Sequence, residues 1–593
     1  MKKREEIAEK YKWDLSDYAL SVEDCEEKLE KFKSYLPKVQ AFKGKLTNAE
    51  TIFECLTFES KISQEVSKIL VYAYSRKTED TSNHEMIELE DKINAFCTEL
   101  STASSYIDVE ISALDNDFLL ALQNNKNHPE FSNYFKAVLR NKKYILSEKE
   151  EKIMSQIGTF AGGFGNNMKI YDSSDITFKP ALDSNGKEYE VSIANYEKYM
   201  SSPDPVLREN MYKSLNGEYK NLENMLANNF SSYVKMVSTL TKIRGYNSVL
   251  ENKLLGDDLT VDFFNLLIKK VKQHAGIFHN FFKTKQKILG LEKLKICDVP
   301  TQLGKVESVE ITFEEAFDTL LRTLQPLGEE YLSVLKKSVS ERWIDVFDNE
   351  NKYSGQYECA CYGCHPLVFL KFNNDISSTL TLAHELGHAM HSYYSNKSQP
   401  YENHDYPIFL AEIASTVNET FMCMHLIKNA KTQDEKIYYI NEFLDAARAT
   451  ILRQTQFAEF EKLVFEKYAV DMAVSKKFFQ DTYENLTKEY YGNMVEMLPE
   501  TKYEYSRIPH FFRSFYVFKY ATGMLSAILI VKKFMDNEPG IQEKYIKFLS
   551  SGSSLPPLET LKIVGVDLEN PKTFDEAFEF LDKVVKDFEN TIK

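Results

Sequence analysis

From Cys25 to about Asp108 apolar residues recur every three or four positions, as in Ile87, Leu89, Ile93, Phe96 and Leu100. That spacing lines one face of a helix, so antiparallel helices are predicted here. Ser147 followed by Glu-Lys-Glu reads as a capping box opening a further helix: the serine satisfies a free amide and the glutamate reaches back. Between Ile176 and Ile193 the period changes. Asn185 and Gly186, which both tolerate positive φ, separate ITFKPAL from KEYEVSI, and this predicts a β-hairpin. Helical periodicity resumes from about Asn195 to Val339. Trp343–Phe347, Tyr353–Tyr362 and Pro366–Phe372 then read as three short strands, after which Asp375 or Ser377 can cap a helix beginning near Ser378. The remainder is helical in pattern, apart from loops near Gln399–Tyr406 and Ser551–Pro557.

Composition sharpens this picture. Gly (21) and Pro (16) are scarce for 593 residues, which implies few turns and long elements, hence a mainly α fold. The length exceeds what one hydrophobic core sustains, so two lobes are expected. The pattern places their division near residue 195, with 1–195 a helical lobe carrying the hairpin near its end and 196–593 a second domain, the one that holds the candidate chemistry. A net charge of −16 argues against general affinity for nucleic acid or anionic membranes. Eight cysteines are too thinly spread for a disulfide framework and read as reduced thiols. The opening MKKREEIAEKYKWDLS has no apolar core, so it is not a secretory signal. The apolar run Met524–Val531 stops at Lys532, too short to cross a bilayer. A soluble, cytoplasmic protein with no membrane or nucleic-acid partner is expected; oligomeric state is not written in the sequence.

The chemistry concentrates in Leu382–His391, LAHELGHAMH, which contains H-E-x-x-H. On a helix, i and i+4 lie one turn apart on one face, so His384 and His388 can both offer a ring nitrogen to one ion. Glu385 can reach a water on that ion without binding the metal. Zinc lowers the pKa of bound water from about 15.7 to near 7, worth roughly 12 kcal/mol in hydroxide formation. A catalytic zinc wants a third protein ligand and an open position. Glu412, inside the apolar segment Leu410–Glu419, is the best candidate, since a carboxylate there needs a partner. Glu419 lies two turns on along the same face and suits orienting a ligand histidine. His391 shares the face of the histidine pair and reads as a packed side chain or as a support to the ligands, because the long-spaced third histidine of the metzincin pattern is absent.

A competing cluster is Cys359, Cys361, Cys364 and His365. Its C-x-x-C-H matches the haem-attachment pattern, but nothing marks export, and a structural zinc lacks a second knuckle. Free thiols on and after a strand are the expectation.

These residues resemble the oligoendopeptidase F branch of the thimet-oligopeptidase-like metallopeptidases, nearly end to end. Trp13–Asp17 (WDLSD) resembles its N-terminal signature, Thr241–Ser248 (TKIRGYNS) its central helix pair and Ser354–Pro366 its substrate-side strand. Ser551–Ser553 and Val564–Asp567 resemble its C-terminal closure, and His384–His391 with Ala411–Glu419 is the most specific part. The resemblance implies a two-lobed helical zincin with a deep channel for short unstructured peptides. It implies one Zn2+ per chain on His384, His388 and Glu412, with Glu385 as the base. It also implies that His510, Tyr516 and Tyr520, in Ile508–Gly523, face the scissile carbonyl, the tyrosines sharing a face at i and i+4. On pattern alone such aromatics are more often core. Phe512 stands where a tyrosine is usual and excludes a hydroxyl there. Asn351, in place of a usual glycine, and Gln356, in place of a small residue, affect the strand on which substrate would dock.

The expected activity is therefore internal cleavage of short peptides. A helical zinc carboxypeptidase is the nearest alternative enzyme, and a peptide-binding pseudoenzyme the alternative from another class.

Overall fold

The structure is a computed structural model that describes residues 2–306 and 310–592. Helices dominate it. The helix Ala49–Glu79 (α1) starts where the Asn48 side chain accepts from Thr51 N, and His84–Ser104 (α2) where Asn83 accepts from Met86 N. The link at 80–83 turns the chain back, and the two helices pack together as their periodicity predicts. Ser147 forms its capping box with Glu150. The expected hairpin is present: Ala181–Leu182 (β1) pairs antiparallel with Glu188–Tyr189 (β2), and Gly186 adopts φ +78° between them. Then follow the long helices Glu223–Ile243 (α3) and Val261–Ile288 (α4) and a two-residue strand, Leu294–Lys295 (β3).

The second β region holds Ile344–Asp345 (β4), Tyr357–Cys359 (β5) and Leu367–Phe369 (β6). β6 is central and buried, parallel to β4 and antiparallel to β5, with Val368 opposite both Ile344 and Glu358. The strands are shorter than the patterns suggested. One cause is Lys352, whose buried ammonium donates to Phe347 O at 2.7 Å, Leu370 O at 2.6 Å and Asp345 Oδ1 at 2.6 Å. Phe347 O and Leu370 O are thereby satisfied by a side chain rather than by a neighbouring strand. From β6 the chain passes directly into Ile376–Ser398 (α5), capped by Asp375 rather than Ser377: its carboxylate accepts from Ser378 N at 2.7 Å. Ile408–Asn429 (α6), Gln454–Asp471 (α7), the strand Val495–Glu496 (β7, parallel to β3) and Phe518–Met535 (α8) complete the elements that bear on the site.

The contacts divide the chain into two compact units, each drawn from three separate segments. One comprises Met1–Ile145, Ser308–Met422 and Lys533–Gly565; the other comprises Leu146–Glu307, Cys423–Lys532 and Val566–Lys593. These compact units are not contiguous stretches of the chain, and the β1–β2 hairpin belongs to the second. The reason is core sharing. Trp13, Leu15, Ile69 and Phe96 from the N-terminal segment bury their side chains in the same cluster as Cys361, Leu367 and Phe369. Helical periodicity reports that a face is apolar, not which distant segment will cover it.

A candidate metal centre and an aromatic cluster

In the first unit, α5 and α6 approach closely at Gly387. A Cβ on that glycine would stand 2.5 Å from Ser415 Cα and 2.6 Å from Ala414 O, so any side chain there would push the helices apart. Asn418 fixes the crossing: its amide donates to Ala383 O at 3.2 Å, and its carbonyl accepts from Tyr331 OH at 2.9 Å. The close approach brings Glu412 of α6 against the histidine pair of α5. Glu412 Oε2 lies 3.4 Å from His384 Nε2 and 3.4 Å from His388 Nε2, and the two imidazoles stand 79° apart.

Three ligands about 2.1 Å from one ion, at tetrahedral angles, stand about 3.4 Å from one another. All three donor atoms lie within 4.8 Å of each other, and this is the group of His, Cys, Asp or Glu side chains able to hold an ion among the described residues. Two imidazole nitrogens and a carboxylate oxygen are a donor set that suits Zn2+. Glu419 lies one step behind, its Oε2 3.2 Å from His384 Nδ1, where it accepts that nitrogen's proton and turns Nε2 toward the shared point. Ser415 Oγ donates to Glu412 Oε2 at 3.3 Å.

The electrostatics are mutual. Burial opposes a charge on His384, but the hydrogen bonds it donates to Glu412 and Glu419 outweigh it and push its pKa up to about 10. Burial works against the Glu412 carboxylate too, yet the two histidines hold it well below the usual range. A divalent ion competes with the protons that these groups would otherwise share. Glu385 is buried beside the cluster. Burial raises its pKa, His384 and His388 oppose that rise and Glu412 adds to it, so the side chain suits taking up a proton.

His391 is packed rather than ligating. Its ring stacks on Tyr406 at 3.6 Å and 2°, lies near Phe548, and is held neutral by burial. The sequence reading missed Glu358 on β5. Burial pushes its pKa up to about 7, with Glu385 and Asp405 adding to the rise and His388 and Ser392 opposing it. A lone acid in a three-residue strand carries no motif, and only the sheet's position against α5 reveals it.

The second unit holds the other candidates. His510, Tyr516 and Tyr520 form a cluster, with ring centroids 6.3 Å apart for His510–Tyr516, 6.1 Å for His510–Tyr520 and 5.4 Å for Tyr516–Tyr520. Only Tyr520 is on a long helix; His510 sits in a 3-10 turn, Pro509–Phe512. Burial lowers the pKa of His510, and Arg513 and Arg453 lower it further, so the ring is neutral and keeps an N–H to donate. The turn into Tyr516 is propped from behind. Phe515 takes φ +57°, and its N–H donates to buried Glu461 of α7 at 2.9 Å, while Tyr233 of α3 pairs with Ser514 Oγ at 2.8 Å. Glu461 is one of several acids on α7, and no motif sets it apart from Glu459 or Glu466. Phe512 packs against Phe230 and Tyr233, as a side chain with no hydroxyl should.

Comparison with known proteins agrees with this architecture. Residues 198–580 match the model of peptidase family M3, and residues 110–178 match Oligopeptidase F. The chain is 31% identical to Oligopeptidase PepF of Bacillus subtilis, covering 99% of this chain and 88% of that one. It is 32% identical to the oligoendopeptidase F homolog of Borreliella burgdorferi, covering 97% of each. A crystal structure from Chlamydophila abortus superposes with a TM-score of 0.94 at 30% identity, covering 100% of both chains. The oligoendopeptidase-F of Enterococcus faecium superposes with a TM-score of 0.74 at 26% identity, covering 97% of this chain and 99% of that one. With a helical fold and a His–His–Glu cluster in place, the chain belongs to peptidase family M3, in its oligoendopeptidase F branch, and is a metalloendopeptidase that acts on oligopeptides.

Proposed function

We propose that the chain hydrolyses internal bonds of short unstructured peptides with one Zn2+ held by His384, His388 and Glu412 and with Glu385 as general base. The observation that carries this reading is the convergence of both Nε2 atoms on Glu412 Oε2, each at 3.4 Å. When bound, zinc would make water acidic enough to attack at neutral pH and would polarise the peptide carbonyl. Glu385 accepts the proton of the attacking water and returns it to the departing nitrogen, so one buried carboxyl serves both halves of the reaction. Glu419 keeps His384 in the tautomer whose Nε2 is free to ligate. His510, Tyr516 and Tyr520 are assigned to the developing negative charge: a neutral imidazole N–H and two phenol hydroxyls are donors suited to an oxyanion. The family is zinc-dependent in general, which supports the choice of ion.

The test combines metal analysis with product mapping on a peptide blocked at both ends. The parent chain should retain about one zinc and cut internally, whereas Glu412→Ala should retain measurably less. A Glu412→Ala protein as zinc-loaded as the parent would remove Glu412 from the ligand set. Turnover undiminished by complete zinc removal would overturn the mechanism itself.

A further inference from the structure

The C-x-x-C segment that the peptidase chemistry leaves unused has a geometry of its own. Beyond β5 the chain makes a tight turn in which Cys364 N–H donates to Cys361 O at 3.2 Å, with Gly363 at φ +81°. A four-residue turn of this kind brings its end Cα atoms within about 7 Å, and disulfides span about 4.4–6.8 Å. Cys361 and Cys364 are the two end residues of this turn. They differ in access, since Cys361 is buried and Cys364 is half-exposed. The turn is also pinned. Tyr362 OH donates to Gln399 O at 3.0 Å and Asn396 Nδ2 to Cys361 O at 3.3 Å, at the C-terminal end of α5, while the Cys364 thiol donates to Asp17 O at 3.3 Å. A Cβ on Gly363 would meet nothing nearer than Gln64 Nε2 at 3.9 Å, so the turn stands open on that side.

We propose that Cys361 and Cys364 form a thiol–disulfide exchange site whose substrate is a small soluble disulfide, Cys364 being the attacking thiol and Cys361 the resolving one. The Cys364 thiolate attacks one sulfur of the small disulfide. That S–S bond breaks, and the leaving thiolate takes up the proton Cys364 has lost. Cys361 then gives its proton to solvent and attacks Cys364 Sγ, closing the protein disulfide and expelling the second small thiol. Two protein thiols are oxidised and one small disulfide is reduced to two thiols.

The electrostatics divide the labour in the same direction. The Cys361 side chain holds the Cys364 thiol below its ordinary range, Lys68 helps, and burial, Asp17 and Glu65 oppose. The same pairing and burial push Cys361 far up. Elsewhere burial pushes Cys25 up to about 12 and Cys55 up to about 11, which leaves those thiols inert at neutral pH.

The test incubates the full chain with glutathione disulfide, quenches with an alkylating agent and maps the peptides by mass. The peptide containing 361–364 should lose two hydrogens, and Cys364 should react at least about tenfold faster than half-buried Cys97. Cys361→Ser should trap one glutathione on Cys364; Cys364→Ser should trap none and form no bridge. The proposal fails if Cys364 reacts no faster than Cys97, or if the bridge that forms joins Cys361 to Cys359. The parent chain alone supplies both of those readouts, so a serine variant that fails to fold does not protect the idea.

Discussion

The helix pair that carries His384 and Glu412 and the segment that carries His510, Tyr516 and Tyr520 position polar groups by opposite means. In the first, regular α-helix does the work: one turn separates the two histidines, two turns separate Glu412 from Glu419, and Gly387 lets the helices close until these side chains meet. In the second, the backbone is irregular. A 3-10 turn and a left-handed Phe515 set the rings, and they stay in place because Glu461 and Tyr233 hold the turn from outside it. A metal site needs donors at fixed separations, which a helix repeat supplies. A group of hydrogen-bond donors aimed at one oxygen can be assembled from any backbone that neighbouring elements brace.

That contrast can be broken or sharpened by substitution. Glu385→Gln removes a proton acceptor without touching a ligand, so kcat should fall on the order of 10²–10⁴ or more while zinc content stays at the parent level. Near-normal turnover would take Glu385 out of the mechanism. In the second region Tyr520→Phe deletes one hydroxyl and keeps the ring. A loss of about 3 kcal/mol in transition-state stabilisation is expected, seen in kcat at unchanged zinc content. An unchanged rate would return Tyr520 to the core and make the aromatic cluster structural.

A third prediction concerns how the second unit holds its shape. Lys285 of α4 is fully buried, donates to Val299 O at 2.6 Å and lies 3.8 Å from Asp445. Burial lowers its pKa from 10.5 to about 8, against the pull of Asp445. A base whose folded pKa lies below its unfolded value costs stability wherever both states are protonated, here below about 8. The cost fades as pH rises from about 8 to 10.5, because the folded state sheds its proton first. Relative to Lys285→Met, the parent should therefore gain on the order of 3 kcal/mol across that window. Denaturant unfolding of both proteins at several pH values measures this, and parallel pH curves would show that Lys285 does not carry a depressed pKa. The smallest effect belongs to the first region. Glu419→Ala should weaken zinc retention about 10–100-fold, read by competition with a chelator, with less effect on the fold than on the metal.

The same contrast explains what could be read before the fold was seen. His384, Glu385 and His388 lie within one turn and a half, so their common face follows from helix geometry alone. Glu412 and Glu419 needed only the added premise that a second apolar helix packs on the first. His510, Tyr516 and Tyr520 were reachable only through family resemblance, since their arrangement depends on a turn that no periodicity encodes. Glu358 and Glu461 were invisible: the first is a lone acid in a three-residue strand, the second one of four acids on its helix, and the partners of both come from other segments. The capping boxes, the hairpin and the long helices were legible because each is specified within a dozen residues.

By itself the amino-acid order determined the helical class, the element positions and the H-E-x-x-H face, because those depend on contacts between near neighbours along the chain. Only the tertiary structure decided which helices share a core, that each compact unit gathers three distant segments, and that Glu412 closes on the histidine pair at 3.4 Å. Those outcomes turn on which buried surfaces fit one another, and periodicity records only that such surfaces exist.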